Sequence, residues 1–454
     1  MVSDAAAYAV IALTLLVLLA VGLRTRGGAG VDDYVTARGT QRPASLGLSF
    51  FASGLGAWIL FAPPEVAALA GGIGLAGYAL AAACPYAVFA LIGPAVRRRL
   101  PHGHGLNEFV RARFGRAVHL YVVILSVLYM VVFVIAELTA VGAVATIVGG
   151  IDGRAAIAAT AVVTLAYTTA RGLPASLRTD GWQAWMIVVL VALALAAVVA
   201  GTGPGNSPAG GLWGGGAASF QVALTLIVAV VAANLFHQGY WQRMWAATDE
   251  AALVRGAWIG MFSAFAVVAV VGAFGLVAMT RGVEMGSPPA PFFALVATLP
   301  GWVGAAVLAL GVALVASSVD TLENALASLV ATERRSLSLA GVRVASILIM
   351  VPAVLVAFQG HSVLRLFLVA DLLCATAAGP VLLGFWRRTG GAAALAGCAA
   401  GVGGALVAGG PAAATFPEAI PALGPFLGAV VASTTVTAVV AARRPSREGG
   451  GGAR

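Results

Sequence analysis

The sequence predicts an all-α polytopic membrane protein, and three observations carry that prediction. Of its 454 residues, 61% are hydrophobic and 9% charged. Soluble domains hold roughly 45–50% apolar and about 25% charged residues, so this composition excludes a soluble enzyme, a disordered chain and a disulfide scaffold. The mean hydropathy is +0.99. Apolar runs of about 20 residues, the length that crosses a ~30 Å hydrocarbon layer, recur along the whole chain. They lack the period-two alternation of a barrel, and lipid cannot satisfy free backbone groups, so the runs read as helices.

About thirteen helices are expected at this length per span. They fall near 5–23, 45–69, 73–96, 117–149, 155–171, 181–201, 218–240, 256–280, 302–331, 341–359, 363–386, 391–410 and 422–442. The first run, Ala5–Leu23, has no basic residue before it and Arg24 and Arg26 after it. That order predicts a retained first span with its N-terminus outside, not a cleaved signal. All 26 basic residues are Arg. All except Arg154, Arg281 and Arg365 fall in the gaps after the odd-numbered spans or in the tail, which places those gaps and the C-terminus inside. Basic residues spread over short gaps give no face for nucleic acid. Cys84, Cys374 and Cys398 lie in apolar runs and imply neither a disulfide framework nor a metal site.

The gaps have their own readings. The uncharged Gly/Pro-rich stretch 201–219 reads as an exposed outer loop. Residues 292–299 follow three prolines and are too short to span, so they read as a surface or re-entrant helix over an outer vestibule. The basic stretch 97–115 reads as a helix on the inner leaflet. The expected organisation is an extra helix and first cytoplasmic loop over 1–44, a first repeat over 45–201, a second over 202–388, two further helices over 389–442, and a disordered tail over 443–454.

Two spans should break. Ala52–Glu65 contains Gly54, Gly56, Pro63 and Pro64. Asn234–Gln242 places Asn, His, Gln and Gly inside an apolar run. Each break opens a set of five spans. Interrupted helices at matching places in two halves point to a transporter built from inverted repeats, and an odd span number per repeat inverts one against the other. The solute pocket is expected between the breaks, near Ser53, Trp58, Phe236, His237, Gln238 and Tyr240. His237 reads equally as a proton or solute partner and as a hydrogen-bonded interior histidine.

The span at 302–331 carries Ser317, Ser318, Asp320, Thr321, Glu323 and Asn324 within about two turns. Ser317, Asp320 and Thr321 share one face. Hydroxyl and carboxylate oxygens suit a hard cation such as sodium. A membrane carboxylate needs a partner or a wet cavity, and Asp320 is expected either to join a cation position or to pair with an arginine such as Arg178. Glu65, Glu137 and Asp371 are the other acids in or beside spans.

The residues resemble the sodium:solute symporter family, which includes sodium/proline, sodium/glucose, pantothenate and urea-type members. Asp33-Tyr34 through Gly39 is similar to its D-Y-x-x-A-G-R signature with the last two positions inverted. Ser49–Trp58, Arg171-Gly172-Leu173, Thr179-Asp180, the HQGYWQR stretch and Ser317-Ser318 fall in family order, so the resemblance covers roughly 5–440. It implies a five-plus-five inverted-repeat core of the leucine-transporter type over spans two to eleven. It implies a sodium site from carbonyls of Ala52, Leu55 and Leu314 and hydroxyls of Ser317 and Ser318. It implies a possible second cation position at Asp180, Ser317, Asp320 and Thr321. Sodium/proline members carry an Asp where this chain has Gly54, which argues against proline as solute.

The reading is a secondary active transporter that couples sodium entry to import of a small organic solute by alternating access. The rivals are a proton-coupled symporter, a sodium-independent facilitator of the same fold and a membrane solute sensor. The absence of a metal or nucleophile constellation in the sequence argues against an enzyme and implies no cofactor beyond sodium as coupling ion. Expected partners are the solute, sodium and membrane lipid in a multi-pass plasma-membrane protein, with no nucleic acid and no obligate protein partner.

Overall fold

The computed structural model describes residues 2–26, 30–201, 212–214, 216–286, 289–386, 388–409 and 423–443. Most of the expected outer loop, at 202–211, and the tail from 444 lie outside the described residues. In chain order the helices are α1 (Asp4–Leu23), α2 (Val31–Thr36), α3 (Pro43–Gly54), α4 (Trp58–Arg99), α5 (Leu106–Phe114) and α6 (Arg116–Gly149). They continue with α7 (Gly153–Arg171), α8 (Leu173–Gly201), α9 (Ala217–Asn234), α10 (Gln238–Ala246), α11 (Glu250–Thr280) and α12 (Pro291–Val296). The last are α13 (Gly301–Glu333), α14 (Leu339–Ala357), α15 (Val363–Leu382), α16 (Gly391–Gly409) and α17 (Leu423–Ala442). Among the described residues, 11 helices are long and apolar enough to cross a membrane. Helix α7 is not one of them, because Thr160, Thr164, Thr168 and Thr169 lower its hydropathy.

Both expected breaks are present. The first separates α3 from α4 at Leu55–Ala57, and the second separates α9 from α10 at Leu235–His237. Pro63 and Pro64 do not make the first break; they lie inside α4. They leave the Ile59 and Leu60 carbonyls without a helical donor, and Gly275 of α11 packs so closely on this segment that a Cβ there would sit 2.0 Å from the Pro64 carbonyl. Helix α4 has 42 residues and contains the expected third span as well. It turns at Gly71, whose φ of 69° only glycine takes without strain. Gly72 and Ile73 donate to the Leu212 and Trp213 carbonyls at 3.0 and 3.1 Å, so the segment before α9 is stitched to this corner.

Helix α13 is the hub. Its residues from Leu310 to Leu329 are buried all round, as a helix without a lipid face must be. It packs on α6, α7, α8, α1 and α14. Helix α4 packs on α11 and α9, and α3 on α11 and α8. Leu13, Leu91, Leu348 and Val407 point outward, as side chains facing lipid do. The expected short outer helix is α12, anchored by Phe293 on Phe61 of α4 with ring centroids 4.7 Å apart. One arginine is misplaced by the sequence reading. Arg243, expected in an inner gap, is 0% exposed inside α10, because Trp241, Met244 and Trp245 carry that segment into the bundle.

Candidate solute and cation site

The first break is capped from another helix. The Ala57 N–H, unbonded at the start of α4, donates to Glu137 Oε2 of α6 at 2.8 Å. Gly56 makes room for this carboxylate, since a Cβ there would lie 1.7 Å from Oε1. Gly54 likewise admits the Tyr86 hydroxyl, which donates to the Phe50 carbonyl at 3.1 Å. Any side chain at 54, an Asp included, would collide with that hydroxyl. Ala52 belongs to the last turn of α3, where carbonyls have no helical partner, and Leu55 sits in the break with φ −107° and ψ 98°.

Tyr129, Phe133 and Glu137 recur every four residues and so share one face of α6. That face meets the second break. The His237 ring lies 6.1 Å from Tyr129 and 6.0 Å from Phe133, and stacks on Tyr240 at 4.3 Å. Tyr240 approaches Tyr86, oxygen to oxygen, at 3.4 Å. Trp58, the first residue of α4, stacks on Tyr78 at 5.6 Å. Around this space Trp58 Nε1, Tyr129 Oη, Glu137 Oε1, His237 Nδ1 and Ser318 Oγ are buried without a hydrogen-bond partner. Buried polar atoms are rarely left so, which makes the region of the two breaks the candidate site.

Not every expected pocket residue faces it. Trp58, Phe236, His237 and Tyr240 are all buried at or next to the breaks. The Ser53 hydroxyl bonds back to the Ser49 carbonyl at 2.6 Å. The Gln238 amide turns away, donating to the His104 carbonyl at 3.1 Å and accepting from the Leu106 N–H at 3.3 Å.

Helix α13 presents Leu314, Ser317 and Ser318, all buried, with the Ser318 hydroxyl beside the Glu137 carboxylate. The Ser317 hydroxyl donates to Asp180 Oδ1 at 3.1 Å. Asp180 is paired with Arg243 at 2.8 Å, both side chains 0% exposed. The guanidinium also donates to the Ser49 hydroxyl at 2.7 Å, the Gly239 carbonyl at 2.9 Å and the Thr321 hydroxyl at 3.0 Å. Asp180, Ser317 and Thr321 are thus brought together, around a guanidinium. Asp320 turns elsewhere and pairs with no arginine; it accepts from Tyr167, Ser176 and Thr179 at 2.5, 2.6 and 3.0 Å. Glu323 accepts from Thr164 and Thr168 of α7 at 2.8 and 2.7 Å.

On the arginine-rich face a cleft of about 940 Å³ lies between α2, α5 and the end of α13. His104 bridges its walls, 2.7 Å from Asp32 Oδ1 and 3.3 Å from Glu108 Oε2. Arg38 pairs with Asp32 and Arg335 with Glu108. Burial pushes the His104 imidazole down, but the Glu108 and Asp32 carboxylates outweigh it and raise the ring above 6.5. Burial pushes Asp32 and Glu108 up, yet Arg38 and His104 bring Asp32 below its ordinary value. His104, its backbone N–H and Arg335 do the same for Glu108.

Two broken helices with buried polar side chains at their breaks, beside a continuous helix that carries hydroxyls, are the architecture of a membrane transporter. The comparisons identify which kind. The profile of the sodium:solute symporter family matches residues 34–209. The spermidine transporter DUR31 of Candida albicans (strain SC5314 / ATCC MYA-2876) is 32% identical over 371 residues, 79% of this chain and 71% of that protein. The chain belongs to the sodium:solute symporter family and is a multi-pass transporter, not an enzyme. In fold it is similar to a Na+-coupled sialic acid symporter in a substrate-bound outward-open state. That likeness has a TM-score of 0.76 at 16% identity and covers 96% of this chain and 98% of that one. It is also similar to the nucleobase-cation-symport-1 transporter Mhp1 in a closed conformation, with a TM-score of 0.62 at 14% identity, over 91% of this chain and 96% of that one.

Proposed function

We propose that the chain imports a small organic amine with sodium, by alternating access, across the plasma membrane. The observation that carries sodium coupling is the Ser318 hydroxyl, buried beside the Glu137 carboxylate that caps the first break. Ala52, Leu55 and Leu314 would supply carbonyls, and Ser317 and Ser318 hydroxyls, an all-oxygen set that fits a hard monovalent cation. The second cation position implied by resemblance, at Asp180, Ser317, Asp320 and Thr321, already has a tethered cation in the Arg243 guanidinium. One sodium per cycle follows. The N-terminus is taken as outside and the C-terminus inside, with 45–201 and 202–388 as the two repeats.

The amine reading rests on Glu137. Its Oε1 is buried at the first break, with no hydrogen bond of ordinary length and the Ser318 hydroxyl beside it. A buried carboxylate left so is costly, and an ammonium offsets that cost. The Candida relative, by name a spermidine transporter, supports the same class. Trp58, Phe236, His237 and Tyr240 would form the walls. The test is uptake of labelled amines into proteoliposomes with and without an inward sodium gradient. Accumulation that collapses without sodium and is lost in Glu137→Gln supports the reading. Equal flux without sodium makes the chain a facilitator, and dependence on a proton gradient alone makes it a proton symporter.

A further inference from the structure

We infer that residues 103–107 form the gate on the arginine-rich side of the solute site, and that Gln238 is its latch. The amide holds the gate shut from the first residue past the second break, and transport requires it to let go. The inference rests on the site lying at the breaks, as proposed above, and is independent of which solute and which ion the chain carries.

Gln238 opens α10, one residue past His237, whose ring lies among Tyr129, Phe133 and Tyr240. The Gln238 side chain is engaged elsewhere. Its Nε2 donates to the His104 carbonyl at 3.1 Å and its Oε1 accepts from the Leu106 N–H at 3.3 Å, so one amide spans both sides of Gly105. That N–H is one of the free donors at the start of α5. Gly105 has an extended backbone, φ −171° and ψ −178°, which any residue adopts. Glycine is needed there for space, because a Cβ would overlap the Gln238 amide. His237, Gln238 and Leu106 are each 1% exposed, so no solvent passes between them. Gly103 and His104 line the cleft of about 940 Å³ on the arginine-rich face. The segment is therefore the wall between the second break and that cleft.

The wall is held from two directions, unequally. Asn107 Nδ2 donates to Thr332 Oγ1 at 2.9 Å and to Glu333 Oε1 at 2.7 Å at the end of α13. His119 of α6 bridges the Asn107 carbonyl at 3.0 Å and Glu333 Oε2 at 2.9 Å. Arg38 donates to the Gly103 carbonyl at 3.2 Å. Most of these bonds have a carboxylate or a guanidinium as one partner, which is the stronger kind. Helix α10 holds residues 104–106 only by the two neutral bonds of Gln238; its Trp245 Nε1 donates further back, to the Leu100 carbonyl at 2.8 Å. The weaker seam thus runs between Gln238 and residues 104–106, and parting it opens the cleft directly onto His237. Parting also strands a buried carbonyl, an N–H and the amide until water or solute replaces their bonds, so the shut gate is the resting one.

The experiment places a reporter cysteine at the break, His237→Cys, in the full chain in sealed vesicles, and follows its modification by a membrane-impermeant methanethiosulfonate applied to one face or the other. Background from Cys84, Cys374 and Cys398 is taken from the chain without the reporter. Gln238→Ala deletes the latch. Gly105→Ala displaces it, and because only the flexible end of the Gln238 side chain has to move, that variant folds. Each should speed modification from the arginine-rich face about tenfold, the factor that two neutral hydrogen bonds carry, with no rise from the opposite face. Unchanged modification in both variants overturns the latch. A rise from both faces means a general loosening of the bundle and overturns it too. So does a rise in Gln238→Ala alone, since the cavity left there, and not the lost bonds, then admits the reagent. No solute or ion gradient enters the measurement, so a failure of amines to enter with sodium removes the proposed solute and leaves the latch standing.

Discussion

Asp180 of α8 and Arg243 of α10 form an ion pair 2.8 Å long that no solvent reaches. It ties α10, the second part of the second broken helix, to the helix beside α3, and Ser317 links it to the proposed sodium ligands. Removing one partner strands a buried charge. Asp180→Asn should therefore cost about 3–5 kcal/mol. Denaturation in detergent should show that loss, and Asp180→Asn with Arg243→Gln should recover most of it. A double variant as unstable as the single would mean that the pair's charges are not what matters.

Sodium dependence should respond most to Ser318. Its hydroxyl has no other partner, whereas that of Ser317 also serves Asp180. Ser318→Ala should raise the sodium concentration for half-maximal uptake by the equivalent of about 1–3 kcal/mol. Ser317→Ala should add a stability loss to a similar shift. Sodium titration of uptake together with melting curves separates the two, and an unshifted sodium titration in both variants places the ion elsewhere.

Gly56→Ala should fold. The atom its Cβ meets is the far end of the Glu137 side chain, which can swing away. The carboxylate then leaves the Ala57 N–H, so the variant should resemble Glu137→Gln in amine affinity. Competition binding compares them directly, and a Gly56→Ala protein with wild-type affinity would detach Glu137 from the solute.

Asp320 accepts three hydroxyls from α7 and α8, a holding role. Asp320→Asn should lower the folded yield and leave one sodium per amine. Reversal-potential measurements on the folded fraction give the ratio, and a changed ratio would return Asp320 to the coupling machinery.

The His104 clamp is pH-dependent in a defined direction. The raised imidazole stabilises the loop fully below 6.5 and ceases to as pH rises through its folded value. The lowered acids contribute above their ordinary 3.8 and 4.5 and lose that contribution as pH falls. The clamp between α2 and α5 is thus strongest between 4.5 and 6.5. Hydrogen-exchange protection at 100–108, taken relative to the intrinsic rate at each pH, should fall above that window in the wild type and not in His104→Gln.

Both breaks were legible because glycine and polar residues interrupt apolar runs locally. The position of the first was less so. Pro63 and Pro64 drew attention, but α4 absorbs them, and a carboxylate 80 positions away fixes the break at Ala57. Pairing across such separations leaves no local trace. Arg243 sat among arginines read as cytoplasmic, and only its neighbours Trp241, Met244 and Trp245 hinted at burial. Ser317 and Ser318 were visible as hydroxyls on a buried span; that one serves Asp180 and the other nothing depends on how α8 packs.

The corner at Gly71 has a mechanical meaning. A flexible loop between two spans lets each swing alone. Here the outer half of the first broken helix passes into the next span with a single residue out of helical geometry, and backbone bonds from Leu212 and Trp213 hold that residue's neighbours. There is no slack to take up a rotation. Whatever tilts the start of α4 at Trp58 must swing the second arm, as far as Arg99, as one rigid hairpin.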